Sequence, residues 1–209
     1  MSDRGQETEA KFYVSHLDKI TARLGKMKAR LIQPRVLETN LRFDLPDGSL
    51  RTKKQVLRLR RDTESKLTFK GAGQNKSGII DREEIEFVVE DFEKARKFLE
   101  ALGYQESMSY EKYRTTYEMD DTSIMVDELP YGNFVEIEGE SEAQIRELAN
   151  KLGLDWNAAI DNSYTGLFEN VRNALQLSFQ DLSFENFEGV KVTTEQLGVR
   201  PADDNGMSF

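Results

Sequence analysis

Residues 6–14 read QETEAKFYV, and the alternation of their side chains decides the fold. Successive side chains of a strand point to opposite sides, so this stretch has an apolar side and a charged side. The two sides are Ala10, Phe12 and Val14 against Glu7, Glu9 and Lys11. If the charged side faces water, the strand belongs to an open sheet with one solvated face. If it faces inward, it lines an interior that needs a charged ligand, because buried charges are costly without partners.

The composition indicates one main domain inside the cell. A chain of 209 residues is long enough for one hydrophobic core. It has no cysteine, which excludes disulfides and thiolate metal sites, and we expect a cytoplasmic protein. No apolar stretch resembles a signal peptide or is long enough to cross a bilayer, so we expect no membrane partner. The net charge of −9 argues against a nucleic-acid partner, although residues 51–82 are locally basic.

Period-two alternation between turn-forming residues predicts eight strands, mostly in hairpin order. The predicted ranges are 6–14, 37–45, 55–62, 65–71, 80–89, 109–119, 122–128 and 133–140. Helical spacing of apolar side chains predicts four helices, with caps at Ser15, Asp91 and Ser141 for the first three and a range of 163–175 for the last. The second helix is predicted to turn five apolar side chains inward: Phe92, Ala95, Phe98, Leu99 and Leu102.

A change of composition divides the chain at residue 175. We predict a main domain over residues 1–175 and an acidic C-terminal appendage over residues 176–209. The appendage contains enough phenylalanine and leucine to dock locally. Its end, PADDNGMSF at 201–209, is typical of disorder, so we expect the appendage to be partly disordered.

The predicted strands share the pattern of the first one, with one apolar and one charged side. The charged sides could all be solvated, as in an open antiparallel sheet with helices on one face. However, they contain few uncharged polar residues, and their charges segregate into carboxylate pairs on some strands and cation pairs on others. Eight hairpin-connected strands also tend to close into a barrel. We therefore predict an α+β fold: a closed eight-stranded antiparallel β-barrel, or tunnel, with helices packed on the outside.

A tunnel lined by cations needs an anion inside it, because each unpartnered buried charge costs several kcal/mol. Glutamates two residues apart on one strand face repel each other and attract a divalent cation. A polyphosphate bound together with Mg²⁺ or Mn²⁺ would satisfy both sets of charges. The residues therefore predict a polyphosphate as the partner.

Ordered motifs along the chain resemble those of the CYTH superfamily, also called triphosphate tunnel metalloenzymes. The motifs are Glu7-x-Glu9-x-Lys11, Leu57-Arg58-x-Arg60, Lys70-Gly71, Arg82-x-Glu84-x-Glu86, Lys112-x-Arg114, Val126-Asp127 and Gly132-x-Phe134-Val135-Glu136-x-Glu138. Their order and spacing agree with the superfamily over roughly residues 5–170. The resemblance implies a tunnel that binds a triphosphate, with a triphosphate-bearing small molecule as the partner. Members of the superfamily include class IV adenylate cyclases, thiamine triphosphatases, inorganic tripolyphosphatases and RNA triphosphatases.

The resemblance also implies roles for individual residues. The metal-binding positions correspond to Glu7, Glu9, Asp127, Glu136 and Glu138. The substrate-binding cations correspond to Lys11, Arg58, Arg60, Lys70, Arg82, Lys112 and Arg114. A catalytic role is expected for Glu7, Glu9, Lys11, Arg58, Arg60 and Lys112. Further candidates for the tunnel wall are Lys66, Glu84 and Glu86.

Several functions stay open on the sequence. Hydrolysis of a triphosphate and cyclisation of ATP share the phosphate site and differ in the attacking group, which is a metal-activated water or the ribose 3′-hydroxyl. We predict a divalent-metal-dependent triphosphatase, because no adenosine pocket is evident, with a class IV adenylate cyclase that makes cyclic AMP and pyrophosphate as the alternative. A non-catalytic polyphosphate or nucleotide sensor and RNA binding through residues 51–61 are further alternatives, and a homodimer is left open.

Overall fold

The computed structural model describes residues 6–76 and 79–204, except for the side chains of Gln6, Glu7, Asn75 and Lys76. The strands are β1 (Gln6–Val14), β2 (Arg30–Asp44), β3 (Val56–Arg61), β4 (Ser65–Lys70), β5 (Gln74–Lys76), β6 (Ile79–Val89), β7 (Gln105–Met119), β8 (Thr122–Leu129), β9 (Gly132–Glu138) and β10 (Ala159–Ile160). The α-helices are α1 (Leu17–Lys26), α2 (Ser49–Thr52), α3 (Phe92–Ala101), α4 (Glu142–Lys151), α5 (Tyr164–Leu175) and α6 (Thr194–Leu197), and Trp156–Ala158 form a 3₁₀ turn. None of the helices in the described ranges combines the length and the apolar character that a bilayer crossing requires.

Eight strands form a closed antiparallel ring. Their order around the ring is β1, β9, β8, β7, β2, β3, β4 and β6. The pairing of β6 with β1, from Gln6 opposite Glu83 to Glu9 opposite Ile80, closes the ring. The short strands β5 and β10 add to β6 and β1. The predicted fold class is confirmed, and the eight predicted strands are the eight strands of the ring.

The alternation predicts that strand β2 begins at residue 37, but in the structure it begins at Arg30. Pro34 lies in the additional part, and a proline normally argues against a strand because it has no backbone N–H. The structure accommodates it with register shifts against β7, between Leu31 and Gln33 and between Gln33 and Val36. The strand thus continues past the proline through irregular pairing that a period-two pattern does not detect.

The apolar side of the ring packs beneath helices and the C-terminal segment. Phe12 of β1 is fully buried in one cluster with Ile20 of α1 and Ile145 of α4. A second cluster joins α5 and the C-terminal segment to β7 and β9. A third places Leu59 of β3 against Leu99 of α3. Because the apolar side faces outward, the charged side faces the interior, as the barrel prediction requires.

Helix α3 buries a narrower face than predicted. Phe92 and Leu99 are buried and Ala95 packs beside them, but Phe98 is 61% exposed and Leu102 is 57% exposed. The prediction that the last two point inward is wrong. Phe92, Ala95 and Leu99 follow the spacing of one helical stripe, and the other two lie on the flank of that stripe. Apolar spacing alone does not show how wide a face the neighbouring strands will cover.

The C-terminal segment packs along the ring over the part that the structure describes, residues 176–204. Leu182 is fully buried and forms a bridge with Tyr110 of β7. Ala202 and Asp203 are buried as well, although the composition of residues 201–209 is typical of disorder. Both are held by backbone or side-chain hydrogen bonds to the region around Tyr13. Residues 205–209 lie outside the described residues, and the domain boundary at residue 175 stays a prediction.

Two of the three predicted helix caps are confirmed, because the side chains of Asp91 and Ser141 each accept a backbone N–H from the first turn of a helix. Ser163, the predicted start of the last helix, caps α5 in the same way. The cap predicted at Ser15 is wrong. The N-cap of α1 is His16, whose side chain is exposed and makes no capping hydrogen bond. Instead, the carboxylate of Asp203 accepts the backbone N–H groups of Ser15 and His16, both at 2.8 Å.

We expect Asp203→Ala to lower the free energy of unfolding by about 1 kcal/mol, because the start of α1 loses the acceptor of two backbone N–H groups. Urea unfolding at neutral pH measures this change. Asp204→Ala is the matched control, since Asp204 is exposed and adjacent in sequence. Equal losses in the two variants would contradict a capping role for Asp203.

Candidate active site

The ring encloses a cavity of about 900 Å³. The predicted site residues that line it are Glu9, Lys11, Arg58, Arg60, Lys66, Lys70, Arg82, Glu84, Glu86, Lys112, Arg114, Glu136 and Glu138. Asp127 lies behind the lining and is fully buried. The side chain of Glu7 lies outside the described part of the structure. The fold therefore brings the predicted cations and carboxylates to one place, while their catalytic and binding roles stay predictions.

Two arginines of β3 form one wall with Glu86 of β6. Nη2 of Arg58 lies 3.5 Å from one carboxylate oxygen of Glu86, and Nη2 of Arg60 lies 3.4 Å from the other. The hydroxyl of Thr68 donates to Glu86 at 2.8 Å. Burial alone would raise the pKa of Glu86, but Arg60 and the Thr68 hydrogen bond hold it below its ordinary value. Glu86 is thus a charged acceptor that separates two guanidinium groups.

The lysines of β4 continue this wall, and each has a carboxylate partner. Nζ of Lys66 lies 3.0 Å from Glu64 and 3.3 Å from Glu86. Nζ of Lys70 lies 3.1 Å from Glu84, its partner in the register of β4 and β6. The wall therefore presents cations that are already partly neutralised.

Asp127 of β8 organises the opposite wall. Its carboxylate accepts hydrogen bonds from Nζ of Lys112 at 3.0 Å and from Nε of Arg114 at 2.7 Å. Nη2 of Arg114 and the hydroxyl of Tyr164, at 2.8 Å, also donate to it. Four donors fill the acceptor capacity of one carboxylate. The arrangement favours a structural role, in which Asp127 holds two cations in place, over its predicted role as a metal ligand.

Tyr164 is a residue of the site that the sequence did not predict. It is the first residue of α5, and its ring lies 4.3 Å from Nζ of Lys11 and 5.1 Å from Nζ of Lys112. Burial, followed by the charges of Asp127 and Glu136, raises the pKa of Tyr164 well above its ordinary value. Its hydroxyl therefore stays protonated and donates to Asp127. No pattern indicated this, because α5 lies outside the ring.

Glu136 of β9 lies between two cations. The register of β1 and β9 sets it opposite Lys11, whose Nζ is 3.2 Å from the Glu136 carboxylate. The guanidinium of Arg114 donates to the same carboxylate. Burial alone would raise the pKa of Glu136, but Lys11 and Arg114 hold it well below its ordinary value. Glu136 is therefore ionised at neutral pH.

Glu9 and Glu138 form the carboxylate end of the site. They face each other in the register of β1 and β9, and Glu9 also lies 3.4 Å from Nη2 of Arg82. The described residues contain no group of three or more His, Cys, Asp or Glu side chains placed to hold a metal ion. The side chain of Glu7, the next carboxylate of the predicted set along β1, lies outside the described residues. Carboxylate oxygens suit Mg²⁺ and Mn²⁺, so Glu9 and Glu138 fit such an ion as two of its ligands.

Glu38 of β2 is a second residue that the sequence analysis missed. It is fully buried, and its carboxylate lies 3.6 Å from Nζ of Lys112 and 3.8 Å from Nη1 of Arg60. It therefore links the two walls. Burial alone would raise its pKa, but Lys112 and the arginines around it hold the pKa far below its ordinary value. The alternation in β2 could have identified Glu38: Leu41 and Phe43 face outward, so Glu38, at a position of the other parity, faces the interior.

Acidification should destabilise the protein from about pH 5 downward. The folded-state pKa values of Glu38, Glu86 and Glu136 are all lowered, whereas an unfolded glutamate titrates near pH ~4.3. A carboxyl group with a depressed folded pKa stabilises the fold above its unfolded pKa, and this stability is lost as the pH falls towards the folded pKa. Urea unfolding at a series of pH values measures the loss. In Glu38→Gln the pH dependence should be shallower, and an unchanged slope would contradict this assignment.

A closed ring of eight strands around a cavity of paired cations and carboxylates defines a tunnel protein with a charged interior. A family model described as the CYTH domain matches residues 5–162, and the chain belongs to this family. The predicted resemblance is thereby confirmed.

Known relatives agree with this assignment. A Methanocaldococcus jannaschii protein named "Putative adenylate cyclase MJ0240" is 31% identical over 134 residues, which are 63% of this chain and 75% of that protein. The structure of a Vibrio parahaemolyticus protein described as a putative adenylate cyclase has a TM-score of 0.70 at 20% identity, covering 79% of this chain and 99% of that one. A Hippeastrum protein described as a putative adenylyl cyclase with a dominant triphosphatase activity has a TM-score of 0.58 at 16% identity, covering 78% and 95%. At such identities, the two structures show the shared fold alone.

Proposed function

We propose that the protein is a divalent-metal-dependent triphosphatase that acts on inorganic tripolyphosphate or an organic triphosphate. One observation carries the proposal: cations from both walls of the ring converge on one cavity of about 900 Å³. A triphosphate chain is the small-molecule anion that such an array matches, because guanidinium and ammonium groups bind phosphoryl oxygens through charge-assisted hydrogen bonds. Membership of the CYTH family and the activity named for the Hippeastrum protein support the proposal.

The chain's own residues would bind, orient and polarise the triphosphate. Arg58 and Arg60 would contact phosphoryl oxygens from one wall, and Lys11 and Lys112 from the other. These cations stabilise negative charge that develops during transfer of the phosphoryl group to water. Arg114 is held by two carboxylates and would keep the second wall in register. Since positioning and electrostatics supply the catalysis, no nucleophilic side chain is required, in agreement with a chain that lacks cysteine.

Glu9 and Glu138 would hold the Mg²⁺ or Mn²⁺ ion, with Glu7 as the further ligand that the family resemblance implies. When bound, such an ion neutralises charge on the phosphates and activates water. Lys11 is opposite Glu136 and two residues from Glu9 on the same strand face. The chain would thus present a phosphate-binding ammonium beside the proposed metal ligands.

Adenylate cyclase is the second candidate, because relatives of this chain are named for that activity. Cyclisation would use the same cations to bind the triphosphate of ATP. A cavity of about 900 Å³ also lies at the upper end of the range for small-molecule sites, which leaves room for an organic group.

A substrate panel tests these proposals. The protein is incubated with tripolyphosphate, ATP or thiamine triphosphate, each with Mg²⁺, with Mn²⁺ or with EDTA, and the products are separated by chromatography. We expect metal-dependent release of orthophosphate from at least one substrate. If ATP yields cyclic AMP and pyrophosphate, the protein is an adenylate cyclase and the triphosphatase proposal is wrong. Tight binding of tripolyphosphate without turnover under any metal would instead indicate a non-catalytic sensor.

A further inference from the structure

The cation Arg42 lines the cavity and belongs to none of the motifs that suggested the site. It lies on the inward side of β2, directly opposite Arg58 in the register of β2 and β3. The next positions around the ring are Thr68 opposite Arg58 and Glu86 opposite Thr68. Arg42 thus extends the arginine wall at the level of Arg58, on the side that faces α5.

Arg42 differs from the other cations of the lining in its surroundings. Each of the others has a carboxylate partner: Lys11 with Glu136, Arg58 and Arg60 with Glu86, Lys66 with Glu64, Lys70 with Glu84, Arg82 with Glu9, and Lys112 and Arg114 with Asp127. Among the side chains that the structure describes, no carboxylate lies at ion-pair distance from Arg42, whose hydrogen bond goes to Thr165. Burial lowers the pKa of Arg42 below its ordinary value, and the charges of Arg58 and Arg82 lower it further, against the opposing effects of Tyr110 and Asp44. An anion placed beside it would offset this lowering.

The guanidinium of Arg42 is nevertheless held in place. Its Nη1 donates to Oγ1 of Thr165, in the first turn of α5, at 2.5 Å. Oγ1 of Thr165 lies 3.0 Å from Oγ of Ser163, so the acceptor is itself fixed by a hydroxyl of the helix cap. Both hydroxyl residues line the same cavity. One edge of the guanidinium is therefore fixed, and its other N–H groups are available to a ligand.

Arg58 adds a second donor without a partner. Its Nε is buried and has no hydrogen-bond acceptor, and its contacts through the Nη atoms are long, at 3.3–3.5 Å. Arg42 and Arg58 together thus offer unused guanidinium donors from adjacent strands. Such a pair matches the tetrahedral oxygens of a phosphoryl group, which guanidinium groups bind in a bidentate manner.

We propose that Arg42 and Arg58 form a phosphoryl-binding subsite of the tunnel, in which Arg42 is a substrate-binding residue and Thr165 a positioning residue. This subsite rests on the proposed function, because its ligand is one phosphoryl group of the bound triphosphate chain. It extends the binding site from the β3 motif to β2 and to the start of α5.

Calorimetric titration with tripolyphosphate in EDTA tests the subsite without turnover. We expect Arg42→Gln to weaken binding about 10- to 100-fold relative to the wild type, because a charge-assisted bidentate contact is lost. Arg42→Lys should retain part of the affinity, because it keeps the charge but not the planar fork. Arg51→Gln is the control, because Arg51 is exposed on α2 and its substitution removes the same positive charge.

Thr165 supplies the second test. Thr165→Val should weaken binding by a smaller factor than Arg42→Gln does, whereas Thr165→Ser keeps the hydroxyl and should bind like the wild type. In the Arg42→Gln background, adding Thr165→Val should have no further effect on binding. Thermal unfolding of the free variants checks that each still folds. Wild-type affinity in Arg42→Gln, or equal losses in Arg42→Gln and Arg51→Gln, would overturn the subsite while leaving the proposed function standing. No binding of tripolyphosphate to the wild type, in EDTA and with Mg²⁺ alike, would overturn both.

Discussion

Turnover of the best triphosphate substrate should fall by about 10²- to 10³-fold in Arg58→Ala, since removal of one preorganised donor to a developing anion has an effect of this size. Arg58 lies on the cavity side of β3 and has no strong hydrogen bond to the protein. Its contacts with Tyr110, Thr68 and Glu86 are long, at 3.3–3.5 Å, so phosphoryl oxygens of the substrate can compete for its N–H groups. Initial rates at saturating substrate measure the change.

The fold should survive this substitution, because Glu86 keeps the partners Arg60, Lys66 and Thr68. Arg61→Ala is the matched control on the same strand. Arg61 is exposed on the outer side, where its guanidinium lies 4.7 Å from the ring of Phe92. Full activity in Arg58→Ala, or the same loss in Arg61→Ala, would argue against a tunnel-specific role for Arg58.

The same strand shows why so much of the site could be predicted. In β3, Leu57 and Leu59 pack outward while Arg58 and Arg60 line the cavity, so one period-two pattern fixes both the core and the wall. Closure of the ring follows when several strands share this pattern, because the charged sides then meet around one axis. Local alternation therefore predicted the fold and the identity of most lining residues.

Other features depend on contacts that no local pattern encodes. Tyr164 reaches Asp127 from a helix outside the ring, and Asp203 caps a helix at the opposite end of the chain. The pairing of charges is also non-local: Asp127 is engaged by donors from β7 and α5, so its chemistry differs from that of Glu9. Arg42 is an intermediate case. The alternation of β2 predicts that its side chain faces the interior, but no family motif indicates that it belongs to the site.

The charge of Asp127 is the largest single contribution to stability that we expect from the site. Asp127→Asn preserves the shape of the side chain but removes the charge that holds Lys112 and Arg114. Removing one partner from a buried ion pair costs about 3–5 kcal/mol, because the remaining charge is left uncompensated. Urea unfolding at pH 7 measures this loss. Glu128→Gln is the control on the same strand, since Glu128 pairs with the exposed Arg35 and should cost only about 0–1 kcal/mol.

Measurement in EDTA and in Mg²⁺ separates the two roles of Asp127. A carboxylate that holds two buried cations stabilises the metal-free protein, so the loss in Asp127→Asn should be fully present in EDTA. A metal ligand would stabilise the protein only when the ion is bound, because binding to the folded state adds stability by mass action. A variant as stable as the wild type in EDTA but less stabilised by Mg²⁺ would return Asp127 to the metal site. A large loss in EDTA, with the same stabilisation by Mg²⁺ in both proteins, would establish Asp127 as a structural carboxylate and remove it from the predicted metal ligands.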